Sequence, residues 1–257
     1  MFAEGMTVDF FLIVLLMAAV AFAISRAKDG KKGWEIRKIA GLDAIEEGIG
    51  RATEMNRPVF FVPGGTDFAD PQFLAALAVL AEVAKITARY DTRLIVTVAA
   101  SATYPVIQEV VRQAYITEGR PDSFRADDVR WFSDHYFGNA IAIIALMHRE
   151  RVATNIMIGT FAFNALMYAE AANQAGAIQV GGTAATTQIP FFVAACDYAL
   201  IGEEIYAAAA YLTKDPIRVA TLVAEDWAKF VVTGLIVLGA ILQTVGQVDK
   251  LNEVLLK

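Results

Sequence analysis

One cysteine and two histidines are all that the 257-residue chain offers by way of thiol or imidazole chemistry. A lone Cys196 closes no internal disulfide, so nothing in the fold depends on an oxidising compartment. A metal site would need carboxylates instead, and no metal is expected. The familiar phosphate-cradling and nucleophile motifs are also missing. The sequence holds no Gly-x-Gly-x-x-Gly after a strand, no Gly-x-x-x-x-Gly-Lys-Ser/Thr loop, no Gly-x-Ser-x-Gly elbow and no His-Glu-x-x-His pair. Charge is scarce as well: 19% of residues are charged and 56% are apolar. That is too apolar for an ordinary soluble domain and too charged for a bundle made only of membrane helices.

What charge there is sits unevenly. Residues 26–38 carry six basic side chains (Arg26, Lys28, Lys31, Lys32, Arg37, Lys38) against Asp29 and Glu35, a local net of 6 − 2 = +4. Residues 39–229 carry 14 basic and 22 acidic residues, a net of 14 − 22 = −8. An acidic body argues against nucleic acid as a partner.

Each end of the chain has a long apolar run. Residues 7–25 hold a single charge, Asp9, and as a helix their 19 residues reach about 28 Å, close to the hydrocarbon thickness of a bilayer. A cleaved signal peptide is the rival reading, but Glu4 and Asp9 stand where such a peptide needs positive charge. Residues 230–246 hold no charge, and Trp227 and Lys229 precede them as an interfacial ring and a snorkelling cation. Here the rival is a buried core helix.

Six basic residues follow the first run and none precedes it. The positive-inside rule then puts the body in the cytoplasm, with both termini outside the cell membrane. The expected layout is an anchor over 1–25, a basic linker over 26–38 held near anionic lipid, a cytoplasmic domain over 39–229, and a second span with a short tail over 230–257. In the tail, Val248, Leu251, Val254 and Leu255 keep a helical spacing suited to the outer interface.

The body alternates between two periods. Runs at 59–62, 93–98, 129–132, 154–158, 177–180 and 198–201 are β-branched or aromatic with Gly or Pro flanks, and read as buried strands. Helical patterns lie between them. Over 104–118, Ile107, Val110, Val111 and Ala114 make an apolar stripe opposite Gln108, Glu109, Arg112 and Gln113. Over 71–90, Asp70-Pro71 supplies an N-cap and a Pro at the first helical position. Strand and helix in alternation predict an α/β domain, doubly wound and Rossmann-like, around a mostly parallel sheet, flanked by the two transmembrane helices.

Several segments carry a resemblance. They are Gly41-Leu42-Asp43-Ala44-Ile45-Glu46-Glu47, then Gly50-Arg51-Ala52-Thr53-Glu54-Met55-Asn56-Arg57-Pro58, Tyr90-Asp91-Thr92-Arg93-Leu94, Ala194-Ala195-Cys196-Asp197-Tyr198 and Ile201-Gly202-Glu203-Glu204. Over roughly residues 36–240 the chain resembles an uncharacterised bacterial and archaeal family of membrane proteins known only as a domain of unknown function. The resemblance implies this architecture and no activity or cofactor.

In an open α/β sheet, ligands bind outside the carboxyl ends of the strands. The loops there contain Gly64, Gly65, Thr66 and Asp67, then Ser133, Asp134 and His135, then Gly181, Gly182 and Thr183, and Glu203. Each loop runs into a helix N-terminus, where free N–H groups favour a phosphate or carboxylate. The plainer reading gives the glycines to tight turns and the Ser, Thr and Asp side chains to helix caps. An enzyme would use Asp134, His135, Asp67 and Glu203 as acid–base groups.

Residues 152–202 carry only two charges, Glu170 and Asp197, and residues 136–147 carry none. Helices apolar on all sides need a second burial partner. Self-association supplies one, and the alternative is a further span at 152–169, which Asn155, Gly159, Thr160 and Asn164 make poor. The leading expectation is a scaffold or ring built by the domain beneath the membrane, with itself and the bilayer as partners. The alternatives are a tethered sensor of a small anionic ligand and a membrane-bound enzyme.

Overall fold

Six strands form where β-branched and aromatic residues are buried on both faces. They are β1 (Val59–Gly64), β2 (Leu94–Val98), β3 (Val129–Trp131), β4 (Thr154–Gly159), β5 (Ile178–Thr183) and β6 (Tyr198–Ile201). All neighbours run parallel, in the order β3-β2-β1-β4-β5-β6. The computed structural model describes residues 40–213 and 216–244, with Phe10, Ile13, Val14, Met17, Ala18, Ala21, Phe22 and Ser25. The basic cluster at 26–38, the tail at 247–257 and much of the run at 7–25 lie outside the described residues.

Helices cover both faces of the sheet, as a parallel sheet requires. On one face pack α1 (Ala40–Glu54), α2 (Pro71–Tyr90), α3 (Tyr104–Thr117) and α7 (Glu204–Thr213), around Phe61, Val96, Ile156 and Val180. On the other pack α4 (Tyr136–Glu150), α5 (Asn164–Gln174) and α6 (Ile189–Ala195), around Phe60, Ile95 and Met157. The expected α/β class and the mostly parallel sheet hold, and the strand order is the Rossmann-like one.

Local chemistry fixes the joints. Asp70 Oδ1 accepts the Gln72 N–H at 2.9 Å and caps α2, with Pro71 behind it. At the sheet's amino edge, the Arg93 guanidinium forks onto Asp128 (2.6 Å) and reaches Glu150 at 2.8 Å. Arg57 donates there to the carbonyls of Val152 (3.1 Å) and Ala175 (2.7 Å), tying the chain ahead of β4 and β5. The Tyr211 hydroxyl donates to Asp43 at 2.7 Å, joining the last helix of the domain to the first.

The strands outrun the expected boundaries at two carboxyl ends. β1 continues through Pro63 and Gly64, and β5 through Gly181, Gly182 and Thr183, instead of turning into loops there. The ladder keeps its register, with Met157 opposite Gly181 and Ile158 opposite Gly182. Close packing explains it: a Cβ on Gly181 would lie 2.2 Å from Phe192 and 2.6 Å from Cys196 Sγ. The helix after β4 starts at Asn164, whose side chain accepts the Ala162 N–H at 3.1 Å.

Two compact units divide the chain: Arg37–Thr213, and Met1–Ile36 with Lys214–Lys257. The second contains α8 (Pro216–Thr244), 29 residues long. On α8, Phe230, Val231, Val232, Ile236, Val237 and Ile241 are all exposed. By length and composition, one helix among the described residues, α2, is apolar enough to cross a membrane, and 50% of that stretch is buried in the domain.

Candidate ligand-binding edge

The strand order reverses direction between β1 and β4, and in such sheets the crevice at that point is the usual ligand site. Here it is already occupied by the chain itself. Gly64 lies opposite Gly159 at the end of the ladder. A Cβ on Gly64 would lie 2.5 Å from the Phe161 ring, and one on Gly159 would lie 2.3 Å from the Gly64 carbonyl. Gly159 also has φ +127°, which disfavours any side chain. These glycines thus let Phe161, only 7% exposed, lie over the strand ends and pack on Phe192.

The loop after β1 is tied down in the same way. Thr66 and Asp67 are exposed, and Asp67 accepts the Ala69 N–H at 3.0 Å. Gln72 Oε1 accepts from Ala184 N at 2.7 Å and from the Thr183 hydroxyl at 3.3 Å. The 64–67 and 181–183 segments lie at one edge of the sheet, where the Gln72 side chain ties the start of α2 to the end of β5. Gly181 and Gly182 sit inside β5 and are buried.

Ser133, Asp134 and His135 follow β3 and form a second cluster. Asp134 accepts from the Ser101 N–H and hydroxyl, both at 2.7 Å, and from Trp131 Nε1 at 3.1 Å. The Ser101 backbone N–H, then its hydroxyl, hold the Asp134 carboxyl below the usual carboxylate range. Ser133 Oγ accepts the His135 N–H, and His135 Nδ1 accepts the Gly138 N–H at 3.3 Å as the cap of α4. Glu203 is exposed at the turn into α7. Its neighbour Glu204 accepts the Ile201 N–H at 3.1 Å. Most of these polar side chains serve backbone N–H groups, which is capping work. Among the described residues, no three His, Cys, Asp or Glu side chains gather as metal ligands. Burial, then the Asp197 charge, pushes the Cys196 thiol up to about 12, so it stays protonated and inert.

Sequence reading missed an aromatic cluster beside this edge. The rings of Tyr136 and Phe163 lie 5.0 Å apart, and those of Phe137 and Phe163 5.5 Å apart. Tyr136, Phe137 and Phe163 are all exposed. The signal was present as Tyr136-Phe137 at one helix start and Phe161-Ala162-Phe163 before another, but only the fold joins them.

The sequence pattern of the family described as Domain of unknown function (DUF6754) matches residues 1–255. The chain belongs to that family. No curated protein and no solved structure matches it. In this DUF6754 chain, the segments that carried the resemblance make joints of the fold. Gly41 to Glu47 lie in α1, and Arg57 clamps the amino edge. Asp91 ends α2 in a left-handed turn, and Asp197 accepts the Gln179 N–H at 2.8 Å. Gly202, at φ +63°, turns β6 into α7.

Proposed function

We propose that the chain is a two-pass protein of the prokaryotic cell membrane whose cytoplasmic α/β domain binds copies of itself as a scaffold. The observation that carries this reading is the outer surface of α4, α5 and α6. Phe137, Ile141, Phe163, Leu166, Phe191 and Val193 are exposed there, and α4, α5 and α6 carry charge only at Arg149 and Glu150, where α4 ends, and at Glu170. A soluble monomer rarely leaves such a surface open, and an apolar, uncharged patch marks an interface. The opposite layer is ordinary by comparison, with Glu46, Glu47, Arg51, Glu109 and Arg112 facing solvent or lying within reach of it.

Membrane anchoring rests on the ends of the chain. Residues 230–244 of the uncharged run lie in α8, and Phe230 is 76% exposed. Phe10, Ile13, Val14, Met17 and Phe22 are likewise exposed in the first run. A helix that turns Phe, Val and Ile outward suits lipid. The capping work of the candidate loop residues, and the Phe161 ring over the β1/β4 crevice, weigh for a scaffold over a sensor or an enzyme.

Light scattering of the full chain in mild detergent tests the reading. An oligomer is expected at micromolar concentration, and Phe163→Glu should return it to a monomer that still unfolds cooperatively. A monomeric wild type sinks the proposal.

A further inference from the structure

The α4–α6 layer packs on its sheet through an apolar core that also holds buried polar atoms. Its inner side faces buried polar atoms that find no partner: Thr97 Oγ1, Asn139 Oδ1, both amide atoms of Asn155, and Gln179 Oε1. Asn155 and Gln179 are register neighbours beside Phe60, and Thr97 stands two residues after Ile95, so all four polar groups belong to this one face. The buried polar residue Thr154 of β4, which points to the other face, is satisfied by the Gly48 carbonyl at 2.7 Å. The layer's outer side is the apolar surface already described. Asn139 Nδ2 and Gln179 Nε2 tie the layer to its sheet through the Val98 and Ala195 carbonyls, both at 3.3 Å, while apolar side chains outside call for a second surface.

Resting on the self-assembly reading, we infer that this face makes a two-fold contact with the same face of a second copy, so that the assembly unit is a dimer. Three observations carry it. First, the size fits: six apolar side chains, each about half exposed, present roughly 500–600 Å² of apolar area, against about 800 Å² per partner in a standard interface with an apolar core. Second, the charge argues against an anionic occupant. Residues 136–147 and 152–202 contain no Lys or Arg, so nothing there attracts an anionic lipid surface, a nucleic acid or an acidic peptide.

Third, a two-fold contact needs one surface only. Head-to-tail rings need two different complementary surfaces, whereas a single self-complementary surface buries itself on both copies about a two-fold axis. With α5 between α4 and α6, the axis falls near Leu166, at the middle of the patch. Antiparallel α5 helices then set the two Glu170 side chains about 12 Å apart, four residues to either side of the axis, beyond a physiological screening length. Each Glu170 already accepts from its own Gln174 at 2.9 Å.

Self-cross-linking of the full chain in mild detergent tests this. A residue near a two-fold axis meets its own copy, so Leu166→Cys in a Cys196→Ala background should oxidise mostly to one disulfide-linked dimer. Glu109→Cys, on the opposite layer, should not link. Phe163→Cys on the same helix, linked by a flexible bis-maleimide, serves if Leu166→Cys folds poorly. An oligomer by light scattering that gives no link at 166, or whose mass exceeds two copies, overturns the two-fold contact and leaves self-assembly standing. A monomer by light scattering overturns both, and insertion of this face into lipid would appear as that monomer with Leu166→Cys shielded from a water-soluble maleimide.

Discussion

Gly159 shows how little room this sheet leaves at its carboxyl edge. Its φ of +127° and the Gly64 carbonyl, 2.3 Å from where a Cβ would stand, forbid any other residue. Replacing it with Ala adds a left-handed backbone cost of about 1–3 kcal/mol to a clash with backbone that has nowhere to move. We expect Gly159→Ala to lower the melting temperature of the detergent-solubilised chain sharply, whereas Gly50→Ala, where a Cβ meets nothing within 4 Å in a helix interior, should hold or raise it. Equal effects at the two positions would mean that the β1/β4 closure is looser than described. Phe161 owes its place to this pair of glycines, which is why the crevice holds a ring of the chain itself.

Among the elements, the amino edge is held by charge. Burial alone would raise Glu150, but the Arg93 guanidinium, joined by Arg149 and Arg130, outweighs it and holds that carboxyl below its ordinary value. A carboxyl lowered in the folded state stabilises it fully above its unfolded value, about 4.3, and loses that contribution as pH falls through the lower folded value. Melting temperature should therefore fall on acidification below about pH 4.5. Arg93→Met strands Asp128 and Glu150, so it should cost about 2 kcal/mol near pH 7 and flatten the acid slope. An unchanged slope by thermal unfolding between pH 3 and 7 counts against the Arg93 fork. All six strands were legible in the sequence, because Val, Ile, Phe and Thr runs need no partner to be recognised. The end of β5 was not, since Gly181 and Gly182 are poor strand residues that only Phe192 and Cys196 press into the ladder. The candidate edge was legible as a set of loops. The Gln72 bridge to Ala184, 112 residues away along the chain, leaves no local trace in the sequence.

For the whole molecule, the basic residues at 26–38 and Lys229 beside the second apolar run set the expected orientation. A fusion at residue 257 should give an active periplasmic-type alkaline phosphatase, while the same fusion to a cytoplasmic fluorescent reporter stays dark. A bright reporter there would reverse the topology. One contact bears on how such a protein carries load. Because Tyr211 of α7 holds Asp43 of α1, the chain enters and leaves the domain at neighbouring points. Pulling the two flanking segments apart should therefore load the Tyr211–Asp43 bond and the packing of α7 on α2 ahead of the six-stranded ladder. Peeling yields at lower force than shearing and can proceed as a local opening. Lateral strain would be absorbed at this clasp, with the sheet and the α4–α6 face left intact.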